Sequence, residues 1–258
     1  MFLGQYETAI KAAEEMIANL PEELLRLESP PMADWLEGFV PMKQHVLVRF
    51  GKWVEIIQQP LPADRVLYST TTAMIHYAKA VAYAALGSIA EADAEAELFG
   101  AAVSAVQPSR YVFNNTCLDI LAIASEMMKG EIAYRRGEFD AAFTHLRKSV
   151  ELDDTLPYDE PWGWMQPTRH ALGALLLEQG RVEEAEAVYR GDLGLDGALS
   201  RCCQHPENVW SLHGFSECLI RLGKQGEATI IQGRLDVAVA WADVPIKSSC
   251  FCRLRHAA

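Results

Sequence analysis

Apolar residues recur at intervals of three and four along most of the chain, which is the spacing of one face of an α-helix. The pattern is clearest from Gln166 to Leu193, where Gly180 interrupts it and small residues stand where two helices would touch, at Gly173 and Ala185. The apolar positions of this stretch are Leu172, Leu176, Val182, Val188 and Tyr189. The stretch therefore predicts one helical hairpin.

The same arrangement recurs through nearly the whole chain. Good copies centre on Gly87 and Gly137, and weaker copies centre on Gly4, Gly51 and Gly223. With each glycine set at the same place in a unit of about 34 residues, the small and large apolar positions around it resemble the tetratricopeptide repeat (TPR) family. An irregular helical bundle is the alternative, because small-residue helix pairs also occur in bundles.

The resemblance implies an all-α fold, a right-handed TPR-like superhelical solenoid of helical hairpins with long inter-repeat insertions. Residues 1–243 would hold five repeats and an incomplete first one, and residues 244–258 would form a C-terminal tail that carries a CxC motif. Each insertion falls at the connection from one repeat to the next, and successive connections lie along one edge of a solenoid. We therefore expect the insertions to form a continuous rim.

Aromatic residues stand out in one rim segment. Trp162 and Trp164 flank Gly163 beside Asp159 and Glu160, a combination that could cover a ligand bound in the groove. The other interpretation is that the tryptophans fill space left by a long connection, since large aromatic side chains usually bury themselves.

Charge and composition exclude several classes of function. Half of the residues are apolar and the net charge is −12, so a phosphate-binding basic surface is not expected and nucleic acid is a poor partner. No uninterrupted apolar run reaches about 18 residues, which argues against a membrane span. Residues 1–6 lack the features of a signal peptide. We therefore expect a cytoplasmic protein with reduced thiols.

The TPR resemblance implies that one face of the first helix of each repeat lines a concave groove. With the two rim tryptophans, the candidate groove residues are Arg49, Tyr77, Tyr134, Arg135, Trp162, Trp164, Trp210 and Glu217. TPR arrays that grip acidic chaperone tails use Lys, Asn and Arg at the inner positions. The first matching repeats here carry Met42, His45 and Met74 instead, which cannot hold a carboxylate through charge.

Histidine is unusually frequent at the inner positions. His170 and His213 occupy equivalent places in adjacent repeats, and a carboxylate such as Glu131 could approach them. Imidazole, carboxylate and thiolate together suit copper, zinc or non-haem iron, and imidazole also suits acid–base catalysis. The candidate metal ligands are His45, His76, Glu131, His170, His213, Cys250 and Cys252. The cysteines would reach the histidines if the tail folds back on the groove.

Each of these residues also has an ordinary interpretation. The inner histidines could hydrogen-bond to a bound peptide, and His76 could be a buried histidine satisfied by a backbone carbonyl. The tail could be mobile, with two exposed thiols. The sequence thus leaves two functions open. One is a module that binds a peptide, a partner protein or a small molecule, and the other is a metal-dependent enzyme, most plausibly an oxidoreductase.

The first repeat lacks almost all of its first helix, because Gly4 already stands at the turn position. The helix from Tyr6 to Leu20 could cap the array alone, the chain could continue a longer array, or the exposed face could pair with a second subunit. A homodimer through the N-terminal face is therefore one expectation.

Overall fold

The computed structural model describes residues 1–256, apart from the side chains of residues 254–256. This part of the chain is mostly helical with very little sheet, which confirms the prediction of an all-α fold. Its strands are β1 (Tyr111–Val112) and β2 (Asn115–Thr116), which pair antiparallel with Tyr111 opposite Thr116. The chain forms two compact units, unit 1 from Met1–Ala9 with Pro167–Ala258 and unit 2 from Ile10–Gln166.

The α-helices follow one another along the chain. They are α1 (Tyr6–Ala18), α2 (Glu22–Leu25), α3 (Met32–Leu36), α4 (Met42–Arg49), α5 (Trp53–Gln58), α6 (Ser69–Leu86), α7 (Ile89–Val103), α8 (Cys117–Arg136), α9 (Phe139–Asp154), α10 (Thr168–Glu178), α11 (Val182–Asp192), α12 (Val209–Arg221) and α13 (Gln225–Val239). Short 3₁₀-helices span Glu37–Phe39, Arg201–Cys203 and Phe251–His256.

From α4 onward the helices pair as hairpins, α4 with α5, α6 with α7, α8 with α9, α10 with α11, and α12 with α13. Each pair is joined at the glycine that the repeat pattern placed at the turn, and every one of these glycines has a positive φ. At Gly180 the φ is +73°, and the N–H of Arg181 donates to the carbonyl of Leu176 at 2.9 Å. This left-handed residue ends α10 and directs the chain into α11, a geometry that favours glycine.

Small residues bring neighbouring helices of unit 1 close together. The ring of Tyr189 on α11 lies between Gly173 on α10 and Gly214 on α12, and a Cβ atom on either glycine would overlap the ring. Tyr189 is fully buried there. The large residue of one helix thus fills the space left by the missing side chains of two others, as close packing of a core requires.

The N-terminal residues of unit 1 are held by α12 and by the segment after α13. The carbonyl of Met1 accepts from the indole N–H of Trp210 at 3.0 Å. The carboxylate of Asp243 accepts from the backbone N–H groups of Tyr6 and Glu7 at 2.6 and 2.9 Å, so it satisfies two donors at the start of α1. Met1, Tyr6 and Glu7 are therefore bound to other residues of unit 1.

In unit 2 a buried carboxylate fixes the start of α6. Glu37 accepts from the backbone N–H groups of Thr70 and Thr71 at 3.2 and 2.7 Å, and it pairs with the guanidinium of Arg110 at 3.2 Å. A negative charge at a helix N-terminus is favourable, and the arginine compensates its burial. The connection that contains Glu37 is in this way tied to α6, the first helix of the hairpin that follows α4 and α5.

The C-terminal tail packs against α10, α11 and α12 of unit 1. The hydroxyl of Ser249 donates to the carbonyl of His170 at 2.8 Å and lies 2.5 Å from the hydroxyl of Tyr189. Phe251 packs edge-on against Trp210, with 6.0 Å between ring centroids. Residues 257–258 of the predicted tail lie outside the described residues. Among the described helices, none has the length and apolar character needed to cross a membrane.

Candidate functional site

Three aromatic rings meet in the interior of unit 2, two of them from first helices of hairpins and one from the connection after α9. The ring of Trp164 contacts His45 on α4 and Tyr77 on α6, with centroids 4.9 and 5.6 Å apart and both pairs edge-on. The side-chain amide of Gln166 lies 3.2 Å from Nδ1 of His45. We call these four residues the aromatic cluster. The structure therefore brings together two predicted inner-face residues and one predicted rim tryptophan.

Burial sets the charge state of this cluster. Removal from water lowers the pKa of His45 to about 3, so the imidazole is neutral at physiological pH. Burial, together with the nearby charge of Glu131, raises the pKa of Tyr77 well above its usual range. Glu131 itself is buried, and its burial raises the pKa of that carboxyl to about 7 although Arg135 opposes the shift. The cluster is consequently an uncharged part of the interior with a titratable carboxyl beside it.

Two hydrogen-bond donors of the aromatic cluster are unused. Tyr77 is 0% exposed and Trp164 is 1% exposed, yet neither the phenol hydroxyl nor the indole N–H has a hydrogen-bond partner within the described part of the chain. Buried polar groups in native proteins are nearly always hydrogen-bonded, because an unmade bond leaves the cost of desolvation uncompensated. The aromatic cluster thus holds two buried donors whose hydrogen-bonding capacity is unmet within the described residues.

A second buried polar cluster lies in unit 1 and is built around the carboxylate of Asp192 at the end of α11. One carboxylate oxygen accepts from Nδ1 of His205 at 2.8 Å. The other accepts from the hydroxyl of Ser211 at 2.6 Å and the amide of Asn208 at 3.0 Å, and lies 3.1 Å from Nε2 of His170. We call these five residues the carboxylate cluster.

The carboxylate cluster connects several elements. Burial alone would raise the pKa of Asp192, but the charges and hydrogen bonds of His170 and His205 hold it far below its usual range. Both oxygens of the carboxylate are occupied, and the partners come from α10, from α12 and from the connection before it. This arrangement fixes helices against one another, as satisfied buried networks do.

His76, a predicted metal candidate, is bound differently from either of its sequence interpretations. Its Nδ1 lies 2.6 Å from the carboxylate of Glu95 on α7, rather than on a backbone carbonyl. The next hairpin has the same pair with the residues exchanged, Glu126 on α8 and His145 on α9, at 2.7 Å. Both pairs span 19 residues, so they occupy equivalent places in two repeats and join the helices of each hairpin.

Several predicted groove residues lie in the core. Tyr134 is buried and packs edge-on against Phe139 and Phe143 on α9, while Trp210 is fully buried in unit 1. The guanidinium of Arg135 lies 5.3 Å from the centroid of the Tyr134 ring. Arg49 is buried at the end of α4, and Trp162 is half-buried. Tyr134 and Trp210 therefore support packing, because their rings touch core residues.

The remaining predicted residues lie around α12. His213 and Glu217 line an open pocket of about 570 Å³, and burial lowers the pKa of His213. Burial would raise the pKa of Glu217, but two hydrogen bonds from Arg253 of the tail, at 2.6 and 2.8 Å, lower it overall. His170 instead bonds Asp192. Equivalent places in two repeats thus give the two imidazoles different surroundings, since His170 lies beside a buried carboxylate and His213 lines an open pocket.

Cys250 and Cys252 are joined to each other by a disulfide. In this state neither sulfur is the thiolate that a metal would bind.

Sequence reasoning missed Asp192, Asn208, Ser211 and the role of His205. One signal was present, because Asn208 stands immediately before an apolar helical stretch, which is typical of a helix N-cap. The side chain of Asn208 accepts from the backbone N–H of Ser211 at 2.8 Å, as such a cap does. The pairing with Asp192 depends on how α11 and α12 pack, which spacing alone does not give.

Comparison with known proteins gives one match. Residues 166–190 match the sequence model of the tetratricopeptide repeat, a segment that covers α10 and most of α11. No curated protein and no solved structure matches the chain. The match supports the resemblance to the TPR family. A repeat of this kind indicates a role in protein interaction.

Proposed function

We propose that this protein is a binding module whose aromatic cluster takes up an uncharged, carbonyl-bearing group of a partner polypeptide. The tetratricopeptide repeat at residues 166–190 supports a protein partner. The observation that carries the proposal is the pair of buried donors on touching rings, the hydroxyl of Tyr77 and the indole N–H of Trp164.

The chemistry of the cluster selects the group. A carbonyl oxygen accepts hydrogen bonds from a phenol and an indole without bringing a charge into the interior, where an unpaired charge is costly. His45 is neutral and offers no positive charge to an anion. Glu131, when ionised, acts on Tyr77 through its charge and would repel an anion as well. Amide and ketone carbonyls meet these conditions.

The test compares variants that remove one donor at a time. Peptides selected by display on the full chain would be measured by calorimetry against wild type, Tyr77→Phe and Trp164→Phe. We expect each variant to lose about tenfold in affinity, the usual consequence of one lost buried hydrogen bond. Tyr68→Phe is the matched control, because it removes another phenol hydroxyl of unit 2, one that bonds Glu22 instead. It should change the affinity less than twofold.

A carbonyl could also come from a small molecule, and native mass spectrometry of the purified chain distinguishes that source. A bound organic mass that is lost in Tyr77→Phe but kept in Tyr68→Phe would identify the cluster as a small-molecule site. Equal peptide affinities in wild type and Tyr77→Phe, with no bound mass that responds to the substitution, would overturn the proposal.

The metal-dependent oxidoreductase stays a prediction from the sequence. His76 and His170 already bond carboxylates, and Cys250 bonds Cys252, so these groups would have to exchange partners before they could hold copper or zinc. The same native spectra would show a bound metal by its mass.

A further inference from the structure

The open pocket of unit 1 is a groove between α12 and α13. Its less polar wall is formed by Ser216 and Ile220 from α12, by Gln232, Leu235 and Val239 from α13, and by Ile246 from the tail. The titratable residues His213, Glu217, Arg221 and Asp236 complete the lining. On each helix these residues recur at intervals of three and four, so each contributes one continuous face. We call this pocket the end groove.

The end groove has an equivalent one repeat earlier. The turn glycines Gly180 and Gly223 are 43 residues apart, and the same offset relates Ile220 to Leu177, Gln232 to Tyr189 and Leu235 to Asp192. The pair α10 and α11 therefore presents a groove at the same place as the pair α12 and α13.

The earlier groove is occupied by a helix, α12 itself. The ring of Tyr189 lies against Gly214 of α12, and the carboxylate of Asp192 accepts from Ser211. The carbonyl of Leu177 accepts from the guanidinium of Arg221 at 3.1 Å. Leu177, Tyr189 and Asp192 of the earlier groove thus contact α12. Their counterparts Ile220, Gln232 and Leu235 line the end groove.

Within the described residues, the tail forms one wall of the end groove and leaves the groove open. After α13 the tail runs to α10 and α12, where Ser249 bonds the carbonyl of His170 and Arg253 bonds Glu217. Ile246 is the tail residue on the groove wall. The groove surface is accordingly open, with Ile220 56% exposed and Val239 40% exposed.

The polar residues of the end groove largely satisfy one another. Ser216 donates to Gln232 at 3.0 Å, and Gln232 donates to Asp236 at 2.8 Å. The groove still offers a partner the apolar surface of Ile220 and Val239, with the exposed carboxylate of Asp236 beside it. Nδ1 of His213, on the same lining, has no hydrogen-bond partner among the described residues. On a chain of net charge −12, basic residues flanking the apolar stripe of a partner would be attracted to this site.

We propose that the end groove binds an amphipathic α-helix of a partner protein, with an apolar stripe flanked by lysine or arginine. The helix lies where α12 lies one repeat earlier and buries Ile220 and Val239. This is recognition of a helix in a groove, and its apolar contacts repeat at helical spacing. It uses a different surface from the aromatic cluster and does not depend on the function proposed for that cluster.

The test uses a display library of helical peptides of about 20 residues with apolar residues at i, i+3, i+4 and i+7 and lysines on both sides. Selected peptides would be titrated against the full chain by fluorescence anisotropy. We expect Ile220→Asp and Val239→Asp each to weaken binding at least about tenfold, because a charge would face the apolar stripe. Both residues are partly exposed, so the variants should fold, and circular dichroism would check this.

The matched controls are Ile230→Asp and Val237→Asp, which place the same charge on α13 at residues that do not line the groove. These residues are 68% and 65% exposed, and their variants should bind within twofold of wild type. Failure to select any helical peptide, or equal losses in the groove and control variants, would overturn the proposal. A wild-type dimer that Ile220→Asp converts to monomer in sedimentation would also overturn it, because a second copy would then be the occupant.

Discussion

The aromatic cluster of unit 2 and the carboxylate cluster of unit 1 are both buried, and each takes a histidine from the first helix of a hairpin. They differ in how their polar atoms are used. The carboxylate of Asp192 is bonded on both oxygens, whereas the hydroxyl of Tyr77 and the indole N–H of Trp164 have no bonding partner in residues 1–256. The difference suggests a division of roles, because a satisfied network stabilises the fold and an unsatisfied one has capacity for a ligand.

The largest effect should come from removing the centre of the carboxylate cluster. Asp192→Ala leaves the donors of His205, Asn208 and Ser211 buried without their acceptor. We expect the free energy of unfolding to fall by about 3–5 kcal/mol, the usual cost of breaking a buried charged network. Urea unfolding would measure it.

Asp196→Ala is the control for Asp192→Ala, since it removes an exposed carboxylate four residues further along the chain. It should change the free energy of unfolding by less than about 0.5 kcal/mol. A cost below about 1 kcal/mol for Asp192→Ala would show that the carboxylate cluster is not a centre of stability.

The second-largest expected effect is a pH dependence of the free energy of unfolding that comes from two buried groups of unit 2. The pKa of Glu131 rises from 4.5 to about 7 on folding, so the folded chain binds more protons between these values and this carboxyl costs stability as the pH rises. The pKa of His45 falls from 6.5 to about 3, so that imidazole adds stability as the pH rises. The two contributions oppose each other between pH 4.5 and 6.5.

Glu131→Gln should reveal this opposition. The free energy of unfolding of the variant minus that of wild type should grow by about 3 kcal/mol as the pH is raised from 4.5 to above 7. The reason is that each unit of pKa shift corresponds to about 1.36 kcal/mol. Urea unfolding at several pH values would measure the difference. Glu91→Gln changes an exposed carboxyl and should not reproduce the trend. A difference independent of pH would mean that Glu131 reaches water in the folded chain.

The sequence predicted the local parts of both clusters better than their contacts. Turn glycines such as Gly180 and Gly223 were predictable because a left-handed residue at a helix end depends on a few neighbouring residues. His45, Tyr77 and Trp164 were each selected as candidates for a ligand site. The bond between His170 and Asp192 was not predictable, because it requires the rotation of α11 against α10 and α12. Repeat positions also treated Tyr134 and Trp210 as groove residues, although packing directs both rings into the core.

The smallest expected change in the free energy of unfolding comes from removing one hydroxyl from each cluster. Ser211→Ala removes a donor to the ionised Asp192, and should cost about 1.5–3 kcal/mol as hydrogen bonds to charged groups do. Tyr77→Phe removes a hydroxyl that has no hydrogen-bond partner among the described residues. It should leave the free energy of unfolding within about 0.5 kcal/mol of wild type or raise it slightly, because an unsatisfied buried group is itself costly. Parallel urea unfolding of the two variants measures both. If Tyr77→Phe cost as much as Ser211→Ala, the phenol would already be bonded in the free protein, and the aromatic cluster would be a stabilising network like the other.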